Sequence, residues 1–329
     1  MSKIGKYHLE KLLGRGATGE VWLTSHPERK TPLAVKILKF KEDENSFSNE
    51  IIARFLREAE IAASLNHPNI VKVYEVNMHK GTYFIVMEYV EGANLREQLR
   101  SRGKAFDQTQ LIDICLDVIN GLKAAWEKNI IHRDIKPDNI IMDKDGNVKL
   151  ADLGIAKQLN TVESLTPTGY VIGTPEYISP EQAMGKKKID CRTDIYSLGA
   201  TLYHLSTGSP PYSGTIAIDV MMKHAQEPLT HPKLRKPDLS EGFSAVICKM
   251  MEKNPKNRYQ TYDKLILDLE AVKRGASLKK LQADIPFDSL VLPRRGIADK
   301  SSFRHKGNAK AAALVLFTFI IYKIFTGAF

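Results

Sequence analysis

The chain has 329 residues, 43% apolar and 26% charged, a balance that excludes wholesale disorder and leaves room for one large two-lobed domain or two smaller ones. A formal net charge of +10 suits contact with nucleic acid, phosphate groups or an anionic membrane, so the position of the charge has to decide among them. Cys115, Cys191 and Cys248 are odd in number and too scattered for a disulfide framework or a zinc site, which implies a reducing compartment for the folded part.

The N-terminus lacks the apolar run of a secretory signal and has no glycine at position 2 for myristoylation. From Tyr7 to Leu38 short apolar and polar runs alternate between turn residues, which predicts antiparallel strands. Within them lies Gly14-Arg15-Gly16-Ala17-Thr18-Gly19-Glu20-Val21. A lone Gly-x-Gly-x-x-Gly also fits a dinucleotide-binding turn that opens into a helix, but here Val21-Trp22-Leu23 follows, β-branched and aromatic, so a hairpin tip fits better. Amides at such a tip can approach phosphate oxygens closely.

Ala34-Val35-Lys36 reads as a strand carrying its lysine towards the same cleft. Residues 49–65 read as a helix in which Glu58, with Ile51, Phe55, Ile61, Ala62 and Leu65 at helical offsets, lies on the apolar stripe, whereas Glu60 faces water. A carboxylate on a buried stripe needs a cation, and Lys36 is the candidate. The run Tyr83–Val90 predicts a strand buried on both faces, broken by Glu91-Gly92-Ala93-Asn94. That break fits a hinge between two lobes, with backbone groups available to a purine ring, and equally fits an ordinary core strand and turn.

The densest chemistry is His132-Arg133-Asp134-Ile135-Lys136-Pro137-Asp138-Asn139, held between Ile130-Ile131 and Ile140-Ile141 and followed by Asp152-Leu153-Gly154. A packed core gains nothing from so many polar groups, whereas a base, a cation and two oxygen ligands suit phosphoryl transfer. The ordered set Gly14 to Val21, Lys36, Glu58, His132 to Asn139, Asp152 to Gly154 and Ser179-Pro180-Glu181 resembles a eukaryotic-type protein kinase domain, in its bacterial serine/threonine form, over Tyr7 to Arg274.

The resemblance implies an α+β, bilobal fold. A small β-rich N-lobe with one regulatory helix (residues 1–90) would stand above a larger, mainly helical C-lobe (91–274), with ATP and magnesium in the cleft. It implies Asp134 as the group receiving the hydroxyl proton, Lys136 as the cation at the transferred phosphoryl group, and Thr174 as their hydrogen-bonding partner. Asn139 and Asp152 would be the metal ligands. Leu13, Gly14, Gly16, Gly19, Val21, Ala34, Lys36, Glu58, Glu88 and Val90 would line the nucleotide site. Lysine at 136 is the serine/threonine form of the loop, so protein serines and threonines are the expected substrates. Gln158 to Tyr170 is poor in large apolar residues, and autophosphorylation at Thr166 or Thr168, within a dimer, is expected, with Arg133 clamping the phosphate.

Leu153 and Ser179 depart from the commonest residues at their positions without removing chemistry, while Asp194 and Arg258 match positions that brace the catalytic loop and pair with Glu181. With the catalytic set intact, an active enzyme is favoured over a pseudokinase scaffold that binds nucleotide and recruits partners.

Beyond Gly275 the periodicity fades. Pro286, Pro293 and Gly296 mark a linker (275–310), where Arg294, Arg295, Lys300, Arg304, Lys306 and Lys310 crowd against Asp299. Much of the positive excess sits here, which weakens the nucleic-acid reading. The segment 311–329 is just long enough to span a bilayer if Lys323 snorkels, since about 20 apolar residues are wanted. The basic cluster would hold the kinase side in the cytoplasm. The expectation is a tail-anchored kinase, with no extracellular sensor following the tail.

Overall fold

A computed structural model describes residues 3–16, 19–28, 30–38, 59–153 and 175–275. The chain divides into two compact units, 1–291 and 292–329, and all described residues belong to the first. Five antiparallel strands form its upper sheet: β3 (Lys11–Gly16), β4 (Gly19–Ser25), β5 (Pro32–Leu38), β6 (Val73–His79) and β7 (Thr82–Glu88), in the order β3-β4-β5-β7-β6. A small ribbon of β1 (Lys3–Ile4) and β2 (Tyr7–His8) packs Ile4 and Tyr7 against Leu33, Val35, Phe84 and Val86.

The β3–β4 register pairs Gly16 with Gly19, so the glycine-rich segment is a hairpin closed by these two glycines, as its β-branched sequel predicts. Gly19 has φ +144°, and a Cβ there would lie 2.0 Å from the Ile37 carbonyl oxygen. Its lack of a side chain is demanded by β5 as much as by anything above the hairpin. Tyr83 to Val90 forms most of β7, with Phe84, Ile85, Val86 and Met87 buried, as a two-sided apolar run requires.

Residues 59–63 are helical, and the described part of the predicted helix buries Ala59, Ala62 and Leu65 and exposes Glu60. Ile61, expected on the apolar stripe, is instead 37% exposed, because the stripe turns towards Ala59. Glu58 lies outside the described residues.

The lower part is helical. Its helices are α1 (Leu95–Arg102), α2 (Gln108–Trp126), α3 (Pro180–Ala183), α4 (Cys191–Thr207), α5 (Ala217–Gln226), α6 (Pro232–Arg235), α7 (Glu241–Met250) and α8 (Tyr262–Lys273). Most of α4 is buried, and α2, α6 and α7 pack against it. Asn94, Asp107, Ser179, Asp190, Ser240 and Thr261 cap helix N-termini with side-chain acceptors, the residue types that orphan amides select.

A second sheet, β10-β9-β8, joins β8 (Gly92–Asn94) to β9 (Ile140–Asp143) and β10 (Val148–Leu150). The chain therefore leaves the upper sheet at Glu88 and enters the lower one at Gly92, which identifies the break as a passage between two sheets. A second seam runs beside it. The Val71 amide donates to Leu150 O (3.0 Å), the Leu150 amide to Asn69 O (2.9 Å), and Asn69 Nδ2 to Val148 O (2.9 Å). Among the described residues no helix is long and apolar enough to cross a membrane, and the segment 311–329 is not among them.

Candidate active site

The loop from His132 to Asn139 is held from below and from the side. Asp194, on α4 and fully buried, accepts hydrogen bonds from the amides of His132 and Arg133, both at 2.8 Å. Burial pushes its carboxyl up to about 7, against the opposing pull of those two amides. The His132 ring is buried, receives the Asp134 amide at Nδ1 (3.3 Å) and meets Ala151 O at Nε2 (2.9 Å). That pair fixes a neutral ring with its proton on Nε2. Gln182 donates to Arg133 O at 3.0 Å. Arg133 and Asp152 take left-handed backbone angles, φ +64° and +55°, and such strained positions persist only where neighbours hold them.

The predicted catalytic groups converge within this frame. Lys136 Nζ stands 2.9 Å from Asp134 Oδ2. Asn139 Nδ2 donates to Asp134 O (2.8 Å) and Asp134 Oδ2 (3.1 Å). Two acceptors on one side fix the amide orientation and leave the Asn139 carbonyl oxygen for a hard cation. The backbone of Asn139 accepts from the Ala151 amide at 2.8 Å, which brings Asp152 alongside. Lys36, 8% exposed, reaches down from β5 to place Nζ 2.7 Å from Asp152 Oδ1. The lysine therefore meets the aspartate in the described structure, and its expected pairing with Glu58 lies outside the described residues. The donors present, one carboxylate oxygen and one amide oxygen near two ammonium groups, fit a magnesium–polyphosphate.

Val21, Ala34 and Val90 share one apolar cluster with Val71, Met87, Tyr89 and Ala151. Val71, Met87 and Ala151 escape the sequence reading, although Met87 could have been found as the last buried residue of the β7 run. Gly14 and Gly16 have open space where a Cβ would stand. Leu13 occupies the register shift between Leu12 and Gly14 and is 37% exposed. The side chain of Glu88 meets Lys149 Nζ at 3.1 Å and the Lys72 amide at 3.2 Å, which ties the end of β7 to β10. Any nucleotide contact of Glu88 would then come from its backbone. Thr174, Thr166 and Thr168 lie outside the described residues.

Arg96, on α1, gives no sequence signal because its partners are distant along the chain. Its Nε meets Asp138 Oδ2 (2.8 Å), and one terminal nitrogen meets the Tyr177 hydroxyl (2.8 Å) and Glu176 Oε2 (3.4 Å). The Tyr177 hydroxyl in turn donates to His204 Nδ1 at 2.6 Å. Burial lowers His204 to about 4, so the ring is a neutral acceptor.

A family profile described as the protein kinase domain matches residues 7–267. The chain belongs to the protein kinase family. The kinase is 39% identical over 274 residues to the serine/threonine-protein kinase PknB of Mycobacterium leprae, an alignment covering 82% of this chain and 43% of that protein. It is 36% identical over 266 residues to PrkC of Bacillus subtilis, with 81% and 40% covered. The chain thus spans about two fifths of the length of these curated relatives. The crystal structure of the Mycobacterium tuberculosis PknI kinase domain matches with a TM-score of 0.65 at 26% identity, covering 82% of this chain and 98% of that one. The two-lobed α+β fold expected from the motifs is therefore the fold of this kinase. Glu181 and Arg258 form the expected buried pair, at 2.7 Å.

Proposed function

We propose that the protein is a serine/threonine protein kinase that transfers the γ-phosphoryl group of ATP, with magnesium, to hydroxyls of protein substrates. The observation that carries this reading is the chain of contacts from Lys136 through Asp134 and Asn139 to Asp152 and Lys36. ATP supplies the phosphoryl group, and magnesium offsets its charge. Asp134 takes the proton as the substrate oxygen bonds to the γ-phosphorus and the bridge to the β-phosphate breaks. Lys136 faces the charge spread over the transferred oxygens, while Asn139 and Asp152 hold the metal. Lys36 steadies the α- and β-phosphates, and Val21, Ala34, Met87 and Val90 give the base an apolar bed. The names of the relatives, both serine/threonine-protein kinases, support the choice of substrate hydroxyl.

In the same reading Thr166 or Thr168 is autophosphorylated, in trans within a dimer, and Thr174 steadies Asp134 and Lys136. The kinase part (lobes 1–90 and 91–274) lies in the cytoplasm, with the basic linker 275–310 and the tail 311–329 anchoring it to a membrane. Release of full-length protein from membranes by salt alone contradicts the anchor. Labelled phosphate transfer to a mixed peptide pool, followed by phosphoamino-acid analysis, tests the reaction. Phosphoserine and phosphothreonine are expected, and phosphotyrosine alone, or no transfer, overturns the proposal.

A further inference from the structure

The protein part of the substrate must present its hydroxyl to Asp134; Asp138 follows that residue in the same loop, and Arg96 joins Asp138 to a third carboxylate, Glu176. Asp138 lies in the single 3-10 turn Pro137–Asn139 that follows Lys136, and Glu176 lies in the 3-10 turn Pro175–Tyr177. Their side chains are 38% and 29% exposed, so both are open to an approaching peptide. Arg96 is only 18% exposed and lies between them, bonded to Asp138 at 2.8 Å and to Glu176 at 3.4 Å. The terminal nitrogen that meets Glu176 also meets the Tyr177 hydroxyl at 2.8 Å, and the guanidinium stands 5.7 Å from the centre of the Tyr177 ring. A half-buried guanidinium in so many contacts is not a loose surface charge that a substrate can push aside.

We propose that Arg96 sets the substrate charge preference of this kinase, by pairing with the Asp138 and Glu176 carboxylates, which leaves one net negative charge there instead of two and so weakens a subsite for arginine or lysine beside the accepting hydroxyl. This rests on the kinase reading above and names its substrate class: peptides without a basic residue at that subsite. Arg96 acts through the two carboxylates, so it is a specificity-setting residue and not a catalytic one. Removing the guanidinium turns this half-neutralised pair into a doubly acidic patch, which basic peptides then find.

The test compares wild type with Arg96→Gln, Arg96→Lys and the double variant Arg96→Gln/Asp138→Asn. The substrates are one neutral threonine peptide and a set in which arginine is scanned through its flanking positions. Arg96→Gln is expected to gain about fivefold in kcat/KM, through KM, for arginine at one or more positions, the size of a half-exposed ion pair. The gain should fade in high salt and in the double variant, and Arg96→Lys should stay close to wild type. An equal fall on all peptides would show that Arg96 merely props the Tyr177 segment, and a wild type already favouring arginine as strongly as Arg96→Gln would overturn the proposal as well. Fluorescence anisotropy with alanine in place of the threonine reads the same preference without turnover. If no variant transfers phosphate, the kinase reading fails, and a fivefold change in Kd, or its absence, still decides the role of Arg96.

Discussion

Replacing Arg258 by methionine tests how the lower lobe is held. The Arg258 side chain has no exposed surface and Glu181 only 5%. Its N–H groups meet Glu181 Oε1 (2.7 Å) and Oε2 (2.8 Å), Glu252 O (2.7 Å), Arg192 O (2.9 Å) and Lys253 O (3.1 Å), which saturates the guanidinium. Methionine fills similar space but strands a buried carboxylate, with Thr193 Oγ1 as its remaining side-chain donor at 2.7 Å, and leaves three carbonyls short of a partner. Breaking one side of a buried pair costs about 3–5 kcal/mol. At roughly 2–4 °C per kcal/mol for a domain of this size, the thermal midpoint should fall by about 6–20 °C.

The pH dependence separates this cause from simple loss of packing. In the wild type, burial raises the Glu181 carboxyl, but the Arg258 bonds and charge outweigh it and leave the group below its ordinary value. Its stabilising contribution is thus complete above the unfolded-state value of about 4.3 and is lost only as pH falls through the lower folded value. In Arg258→Met the sign reverses: a raised folded value means the folded state takes up a proton first, so the penalty shrinks as pH falls from 7.5 to 5. Melting both proteins across that range should show the gap closing, and Glu181→Gln/Arg258→Met should recover part of the loss at pH 7.5. A gap under about 2 °C, or one independent of pH, would rule out a stranded Glu181 carboxylate as the cause.

Two further outcomes follow from the same geometry. Gly19→Ala drives a methyl into the Ile37 carbonyl at 2.0 Å and should lower the melting temperature by several degrees, whereas Gly14→Ala and Gly16→Ala, with open space around them, should leave it unchanged and raise KM for ATP. Thermal melts beside ATP titrations read both. Desolvation pushes Lys253 down to about 7 while it donates to Tyr212 Oη and His224 O, both at 2.8 Å. The unfolded state therefore binds more protons between pH 7 and about 10, so stability rises with pH there, by up to about 1 kcal/mol per unit. Lys253→Met should flatten that rise in urea titrations at pH 7, 8 and 9.

What the sequence made legible was local or strongly patterned. The hairpin at Gly16 and Gly19 follows from the β-branched run after it, and the buried β7 strand from Phe84 to Met87 follows from an unbroken apolar run. The octet His132–Asn139 is compact enough that its own turn brings Lys136 and Asn139 to Asp134, so the motif and the geometry coincide. Contacts set by tertiary packing were less legible. Ile61 fits the helical offsets of Glu58 and still faces solvent, because the stripe is centred on Ala59 and Ala62. The glycine at 19 reads as a phosphate device, yet the Ile37 carbonyl alone forbids a side chain there. Arg96 was invisible: its partners Asp138 and Tyr177 lie 42 and 81 residues away, and a single arginine on an amphipathic helix reads as an ordinary solvated charge.

In the proposed reaction Asp134, poised by Lys136 and Asn139, receives the proton of the attacking hydroxyl. Single-turnover transfer from labelled ATP to a threonine peptide, measured for wild type and Asp134→Asn beside nucleotide binding by each, isolates that role. Unchanged nucleotide affinity with transfer slowed by at least about a hundredfold is the predicted result. An Asp134→Asn protein that transfers phosphate at the wild-type rate would contradict it.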